Sequence, residues 1–92
     1  MGQIIFEHEF DAAVERLGGY RVVDLALETI MHGLQADPRG YTLFESEFTS
    51  FRFAVTRRVN WGTVEIEPLV VTFTIDADDD VHLQHVEPFE DP

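Results

Sequence analysis

Four acidic residues near the C-terminus have the spacing of a calcium-binding loop. Within TIDADDDVHLQHVEP, residues 74–88, positions 1, 3, 5 and 12 of a twelve-residue stretch are Asp76, Asp78, Asp80 and Glu87. An EF-hand uses these ligand positions, but it also needs a sharp turn at position six, usually Gly, and a helix on each side. Position six is Val81, and both flanking runs alternate as strands do. The sequence therefore predicts a β-hairpin loop whose Asp side chains bond their own backbone, with no metal site.

The cationic residues are the second group that suggests chemistry, and all six of them are Arg. In FRFAVTRR, residues 51–58, a strand period of two places Arg52 and Arg58 on one face and Phe51 and Phe53 on the other. We predict that four residues pack between the helices and the sheet: Leu27, Ile30, Phe53 and Phe73. The Arg face is then the open face of the sheet. A competing interpretation is that Arg52, Arg57 and Arg58 are solvated and neutralise acids on neighbouring strands.

Two His residues and one Trp complete the candidates. His82 and His85 lie three apart in a predicted strand, so they should point to opposite faces and not form a two-ligand metal site. His85 is interpreted as a packing residue or as a titrating group. Trp61, between Asn60 and Gly62 in a predicted turn, is either an anchor for a protein partner or a cap on the core edge.

Composition limits the class of protein. The chain has 92 residues, a hydrophobic fraction of 45%, no Cys and a net charge of −12, which together favour a single globular domain without disulfides. No apolar run is long enough to cross a bilayer and no basic signal-peptide region is present, so we expect a cytoplasmic location and no membrane contact. Such acidity repels nucleic acid unless the cations gather on one face. The negative net charge indicates a basic partner, or it serves solubility or reflects adaptation to a salty cytoplasm or a GC-rich genome.

The N-terminal third of the chain has helical periodicity after one short strand. QIIF predicts that strand, and EFDAAVERL predicts a helix with Phe10, Val14 and Leu17 on one face, ending at Gly18-Gly19. A second helix is predicted from Tyr20 to Ala36, and DPRG ends it. Its apolar face is formed by Val23, Leu27, Ile30 and Leu34.

Beyond the helices the hydrophobic period changes to two, which is typical of strands. YTLFE is a brief strand or an irregular lead-in, VNWGT suits a turn or bulge, and the three clear strands are FRFAVTRR, PLVVTFTI and VHLQHV. The acidic tail, residues 87–92, contains two Pro residues and is expected to fray. The predicted fold is therefore α+β, with two layers: a strand and a helical hairpin followed by a three-stranded antiparallel meander.

The order of these elements resembles the RelE/ParE superfamily of small bacterial toxins. The resemblance rests on EFDAAVERL after the first strand, on the helix end LQADPRGYTLF and on the closing hairpin LVVTFTIDADDDVHLQHVEP. It implies a cytoplasmic toxin of a toxin–antitoxin pair with an antitoxin-like partner. Many members cleave mRNA on the ribosome without a metal or cofactor, and a branch that poisons gyrase shares the fold.

Transferred to this chain, the resemblance implies catalytic roles for Arg52, Arg58 and His85. Arg57 and Trp61 are the candidate contacts for a partner, Trp61 because exposed Trp is favoured at binding hot spots. Two departures argue against ribonuclease activity. The chain has no Lys, and EPFEDP stands where the family has an Arg followed by a Tyr or His. We therefore expect a diverged member with weak or no mRNA cleavage. The alternative hypotheses are an acidic inhibitor, immunity or decoy protein that binds a basic partner, and a homodimeric interaction module.

Overall fold

The computed structural model describes residues 2–90 and confirms the α+β prediction. The elements in chain order are β1 (Ile4–Phe6), α1 (His8–Arg16), α2 (Tyr20–Ala36), a single 3-10 turn (Pro38–Gly40), β2 (Thr42–Glu45), β3 (Ser50–Val55), β4 (Val59–Trp61), β5 (Val64–Ile66), β6 (Leu69–Ile75) and β7 (Val81–Pro88). No helix within residues 2–90 is long and apolar enough to cross a membrane.

Both helices have the predicted bounds to within about two residues. Gly18 and Gly19 separate them with φ angles of 108° and 97°, a region that side chains rarely adopt, so the chain turns here without strain. Helix α2 spans the predicted residues, and its four predicted apolar side chains, Val23, Leu27, Ile30 and Leu34, are all buried. Pro38 follows its end and begins the 3-10 turn.

The main sheet has five strands in the order β1-β7-β6-β3-β2. The predicted meander is β3-β6-β7, and all its pairings are antiparallel. The structure adds β2 at one edge, antiparallel to β3, and β1 at the other edge, parallel to β7. It also forms a separate β4–β5 hairpin where the sequence predicted only a turn or bulge.

One face of the sheet packs on the helices, and we call the opposite side the open face. Phe73 and Leu83 pair across β6 and β7 and are fully buried on the helix side, together with Phe10 of α1 and Leu34 of α2. The described helices and main-sheet strands share this one core cluster. The prediction that Leu27, Ile30 and Phe73 lie between the layers is confirmed.

The predicted orientation of β3 is wrong. Ala54 and Thr56 are each 2% exposed on the helix side, whereas Phe53 pairs with Thr72 on the open face. Alternation defines two faces of a strand without saying which one is covered. The smaller residues face the helices here because α2 approaches closely: the Thr29 hydroxyl of α2 accepts a hydrogen bond from the Arg57 backbone N–H at 3.0 Å.

A β-bulge in β7 overturns the prediction for the two His residues. Between the Thr72–His85 and Phe73–Leu83 pairs, β7 contains one extra residue, so the alternation shifts by one. Leu83 and Val86 are consequently both buried, although they lie three apart. His82 and His85 therefore lie on the same, open face of the sheet.

The start of the predicted frayed tail belongs to the sheet. Strand β7 continues to Pro88, and the Phe89 N–H donates to the Pro68 carbonyl at 3.0 Å. The remainder of the prediction concerns residues 91 and 92, which lie outside the described residues.

Candidate functional site

The acidic segment between β6 and β7 forms the predicted hairpin loop. One carboxylate oxygen of Asp76 accepts hydrogen bonds from the backbone N–H groups of Asp78 and Asp80, at 2.9 and 3.0 Å. Asp79 has a φ of 66°, a left-handed conformation that Asp tolerates better than most residues. The Asp76 carboxylate thus bonds its own loop, as Asp residues in turns commonly do, whereas the Asp80 carboxylate accepts from the Gln3 backbone N–H.

The four acids with EF-hand spacing are not assembled around one point. Asp76, Asp78 and Asp80 have carboxylate oxygens within 4.8 Å of one another. Glu87, however, lies six residues beyond Val81 in β7, which places it about 20 Å further along the strand. The second oxygen of Asp76 is engaged by His82. The loop is therefore stabilised by internal hydrogen bonds and lacks the four-ligand arrangement of an EF-hand.

His82 forms the most connected polar cluster of the sheet. Its Nδ1 lies 2.7 Å from Glu7 Oε1 and its Nε2 lies 2.7 Å from Asp76 Oδ2. The hydrogen bond that His82 donates to the Glu7 carboxylate, followed by that to the Asp76 carboxylate, raises the pKa of His82. The bond to His82 is also the main cause that lowers the pKa of Asp76. The His82 imidazole, placed between two carboxylates, joins the acid loop to the β1–α1 junction.

Arg58 is neutralised by two carboxylates. It follows β3 and forms ion pairs with Glu65 and Glu67, which belong to β5 and the residue after it. The hydrogen bond to Glu65 is the main cause that raises its pKa. All three side chains are at least half exposed. This agrees with the interpretation of Arg58 as a residue that neutralises neighbouring acids.

Arg52 lies on the helix side of the sheet, opposite Phe73, and not on the open face. Its guanidinium donates to the carbonyl oxygens of Tyr41 and Arg39, at 2.8 and 3.1 Å. Within residues 2–90 it forms no ion pair with a carboxylate. Arg57, whose side chain is exposed, contributes its backbone N–H to the contact with α2.

A small cleft opens beside Arg52, where β3 and β6 diverge. The pairing of these strands ends at Arg52 and Phe73, so the preceding residues of β3 separate from the end of β6. The cleft encloses about 190 Å³, and its polar lining includes Arg39, Ser50, Arg52 and Thr74. Arg39 is itself paired with Asp79 at 2.7 Å. Of the predicted site residues, Arg52 therefore has the surroundings that best suit binding of an anion.

The remaining predicted residues lie away from the cleft. His85 is on the open face, with Nε2 3.7 Å from Glu87 Oε2. Trp61 ends β4 in the separate hairpin, where its side chain is 68% exposed, so it does not cap the core. Arg52 and His85 are on opposite faces of the sheet, and Arg58 is held by its glutamates. The structure does not bring the three proposed catalytic residues together.

The open face carries aromatic side chains where the prediction placed cations. Phe44 and Phe51 pair across β2 and β3 with ring centroids 5.0 Å apart, and Phe53 follows on the same face. Val55 and Phe44 are 40% and 48% exposed. Exposed apolar groups that adjoin one another on one face are typical of binding surfaces.

Sequence reasoning missed the His82 cluster. Glu7 reaches His82 only because β1 pairs in parallel with β7, and no local pattern in the sequence indicates that pairing.

Comparison with protein-family models, with curated proteins and with solved structures finds no match. The likeness to the RelE/ParE toxins therefore stays a prediction from the sequence.

Proposed function

We propose that this chain is a diverged RelE/ParE-like domain that binds a basic protein partner and does not cleave RNA. The observation that carries this proposal is the distribution of charge and aromatic groups on the sheet. The open face presents Phe44, Phe51 and Phe53, while Arg58 is neutralised and Arg52 faces the helix side.

The electrostatics of the whole chain support the same conclusion. A net charge of −12 opposes approach to an RNA backbone, and it also opposes association with a second copy of the chain. The same negative charge attracts a partner that is basic. An apolar patch within an acidic surface matches a partner that combines apolar side chains with Arg or Lys.

The binding arm of the test uses an octapeptide of alternating Val and Arg, with alternating Val and Glu as its charge control. We expect the Val–Arg peptide to shift the amide resonances of β3 and β6 in the isotope-labelled chain, and the Val–Glu peptide to leave them unchanged. Phe53→Ser should weaken binding by about fivefold or more, because one buried aromatic contact is lost. Phe48→Ser is the matched control, since Phe48 is 91% exposed at the β2–β3 turn.

A second candidate function is anion binding in the cleft, with residual nuclease activity. It is favoured by the guanidinium of Arg52, which lines the cleft. Among residues 2–90, the hydrogen-bond partners of this guanidinium are backbone carbonyl oxygens and not carboxylates. If Arg52 stabilises the charge on a scissile phosphate, Arg52→Ala should lower RNA cleavage by about 10²–10³-fold. We expect instead no cleavage by the wild-type chain and no growth arrest on expression in bacteria. Arrest that Arg52→Ala abolishes in a folded protein would overturn the proposal.

A further inference from the structure

An apolar groove lies between the helical hairpin and the β4–β5 hairpin. It encloses about 280 Å³, and its walls include Leu17 and Val22 on one side and Val64 and Leu69 on the other, with Pro88 at one end. Val22 and Val64 are 37% and 47% exposed, so the groove is open to solvent. Its size suits an apolar side chain such as Leu or Phe.

One wall of this groove is acidic. Glu65 and Glu67 line it, and both are paired with Arg58. Two carboxylates facing one guanidinium leave one net negative charge at the rim. Since the three side chains are at least half exposed, a second cation can approach them without displacing buried groups.

A second cleft also includes Pro88 in its lining. It encloses about 340 Å³ and is lined by Val70, Glu87, Pro88, Phe89 and Glu90. No Arg is among the described residues that line it, and the imidazole of His85 lies 3.7 Å from the Glu87 carboxylate. The apolar groove and this acidic cleft have Pro88 in common.

We propose that the groove and the acidic cleft together bind one segment of a basic protein, with an apolar side chain in the groove and an Arg or Lys side chain beside Glu87 and Glu90. This inference rests on the proposed function and adds a second contact region for the same basic partner, apart from Phe44, Phe51 and Phe53. Apolar burial supplies the affinity, and the carboxylates select a cation next to the apolar residue. A second copy of the chain does not fit, because it is itself strongly acidic.

The test titrates the isotope-labelled full chain with the peptide amide acetyl-Leu-Gly-Arg-Arg. Two matched peptides replace either both Arg residues by Glu or the Leu by Gly. We expect the first peptide to shift the amide resonances of Val64, Leu69 and Phe89, and each control peptide to bind at least about fivefold more weakly, since each lacks one of the two contacts. Equal binding of the Gly and Leu peptides would overturn the role of the groove.

Variants separate this inference from the proposed function. The double change Glu87→Gln and Glu90→Gln should reduce affinity for the Leu-Gly-Arg-Arg peptide by about fivefold. A higher salt concentration should also weaken binding, because it screens the charges. Phe48→Ser, at the exposed β2–β3 turn, should leave the affinity unchanged. If the peptide binds nowhere near Pro88 while the Val–Arg peptide still binds the open face, this inference fails and the proposed function stands. If RNA cleavage that depends on Arg52 is found, the proposed function fails.

Discussion

His82 Nδ1 lies 2.7 Å from Glu7 Oε1, although 75 positions separate the two residues in the chain. The contact spans the parallel pairing of β1 with β7, so it links the first strand to the last. Through Nε2 the same imidazole also contacts Asp76 in the acid loop. Protonation of one side chain therefore affects how the N-terminal strand, the sheet and the loop are held together.

The stability of the fold should fall as pH rises above neutrality. The folded-state pKa of His82 is raised, so its ion pairs stabilise the fold fully below its ordinary pKa of about 6.5 and are lost as pH rises through the folded value. Melting temperatures measured between pH 6 and 9 should decline. In His82→Gln the decline should be smaller, and in Glu7→Gln intermediate. A parallel decline in all three proteins would contradict the role of His82.

At acidic pH the same cluster acts in the opposite direction. The pKa of Asp76 is lowered, so its contribution is present above the ordinary carboxylate value and is lost as pH falls through the folded value. We expect Asp76→Asn to melt at a lower temperature than the wild type at pH 6. At pH 2 the two melting temperatures should nearly coincide. An undiminished difference at pH 2 would indicate that the Asp76 hydrogen bonds to the loop backbone dominate.

Two Phe residues on opposite faces of the sheet should respond very differently to truncation. Phe73 is fully buried against the helices, so Phe73→Ala should cost about 3–5 kcal/mol of unfolding free energy and unfold much of the protein. Phe53 is half-buried on the open face, and Phe53→Ala should cost at most about 1.5 kcal/mol. Urea denaturation measures both, and equal costs would contradict the observed orientation of β3.

Gly33 in α2 is needed because the Tyr41 side chain lies against the helix. A Cβ atom at position 33 would overlap the Tyr41 hydroxyl, which donates to the Ile30 carbonyl at 3.4 Å. Ala is a better helix former than Gly, yet Gly33→Ala should destabilise the fold by about 1–2 kcal/mol because of this overlap. In the Tyr41→Phe background the same change should cost at least about 1 kcal/mol less. Additive effects in this double-mutant cycle would refute the contact.

Calcium should not stabilise the acid loop specifically. The Asp76 oxygens are engaged by backbone N–H groups and by His82, and Glu87 lies at the far end of β7. We expect equal melting temperatures in calcium and sodium chloride at matched ionic strength. The test repeats the comparison with Asp78→Asn. A stabilisation by calcium that Asp78→Asn removes would overturn the assignment of the loop as a simple turn.

The helices and the acid loop were predictable because their determinants are local. Helix α2 has an apolar stripe with a period of 3.6 and is bounded by Gly19 and by Pro38, all within one segment. The Asp76 turn depends on hydrogen bonds between residues at most four apart. Such interactions can be read from the sequence without knowing what packs against the segment.

Only the tertiary structure decided which chemical groups meet. The covered face of β3 follows from the close approach of α2 at Thr29, and the shared face of His82 and His85 follows from a bulge against β6. The contacts of Arg52, and those of His82 with Glu7, join segments that are distant in the chain. Alternation and charge define what each strand offers, but the free energy of packing against other elements selects its partner.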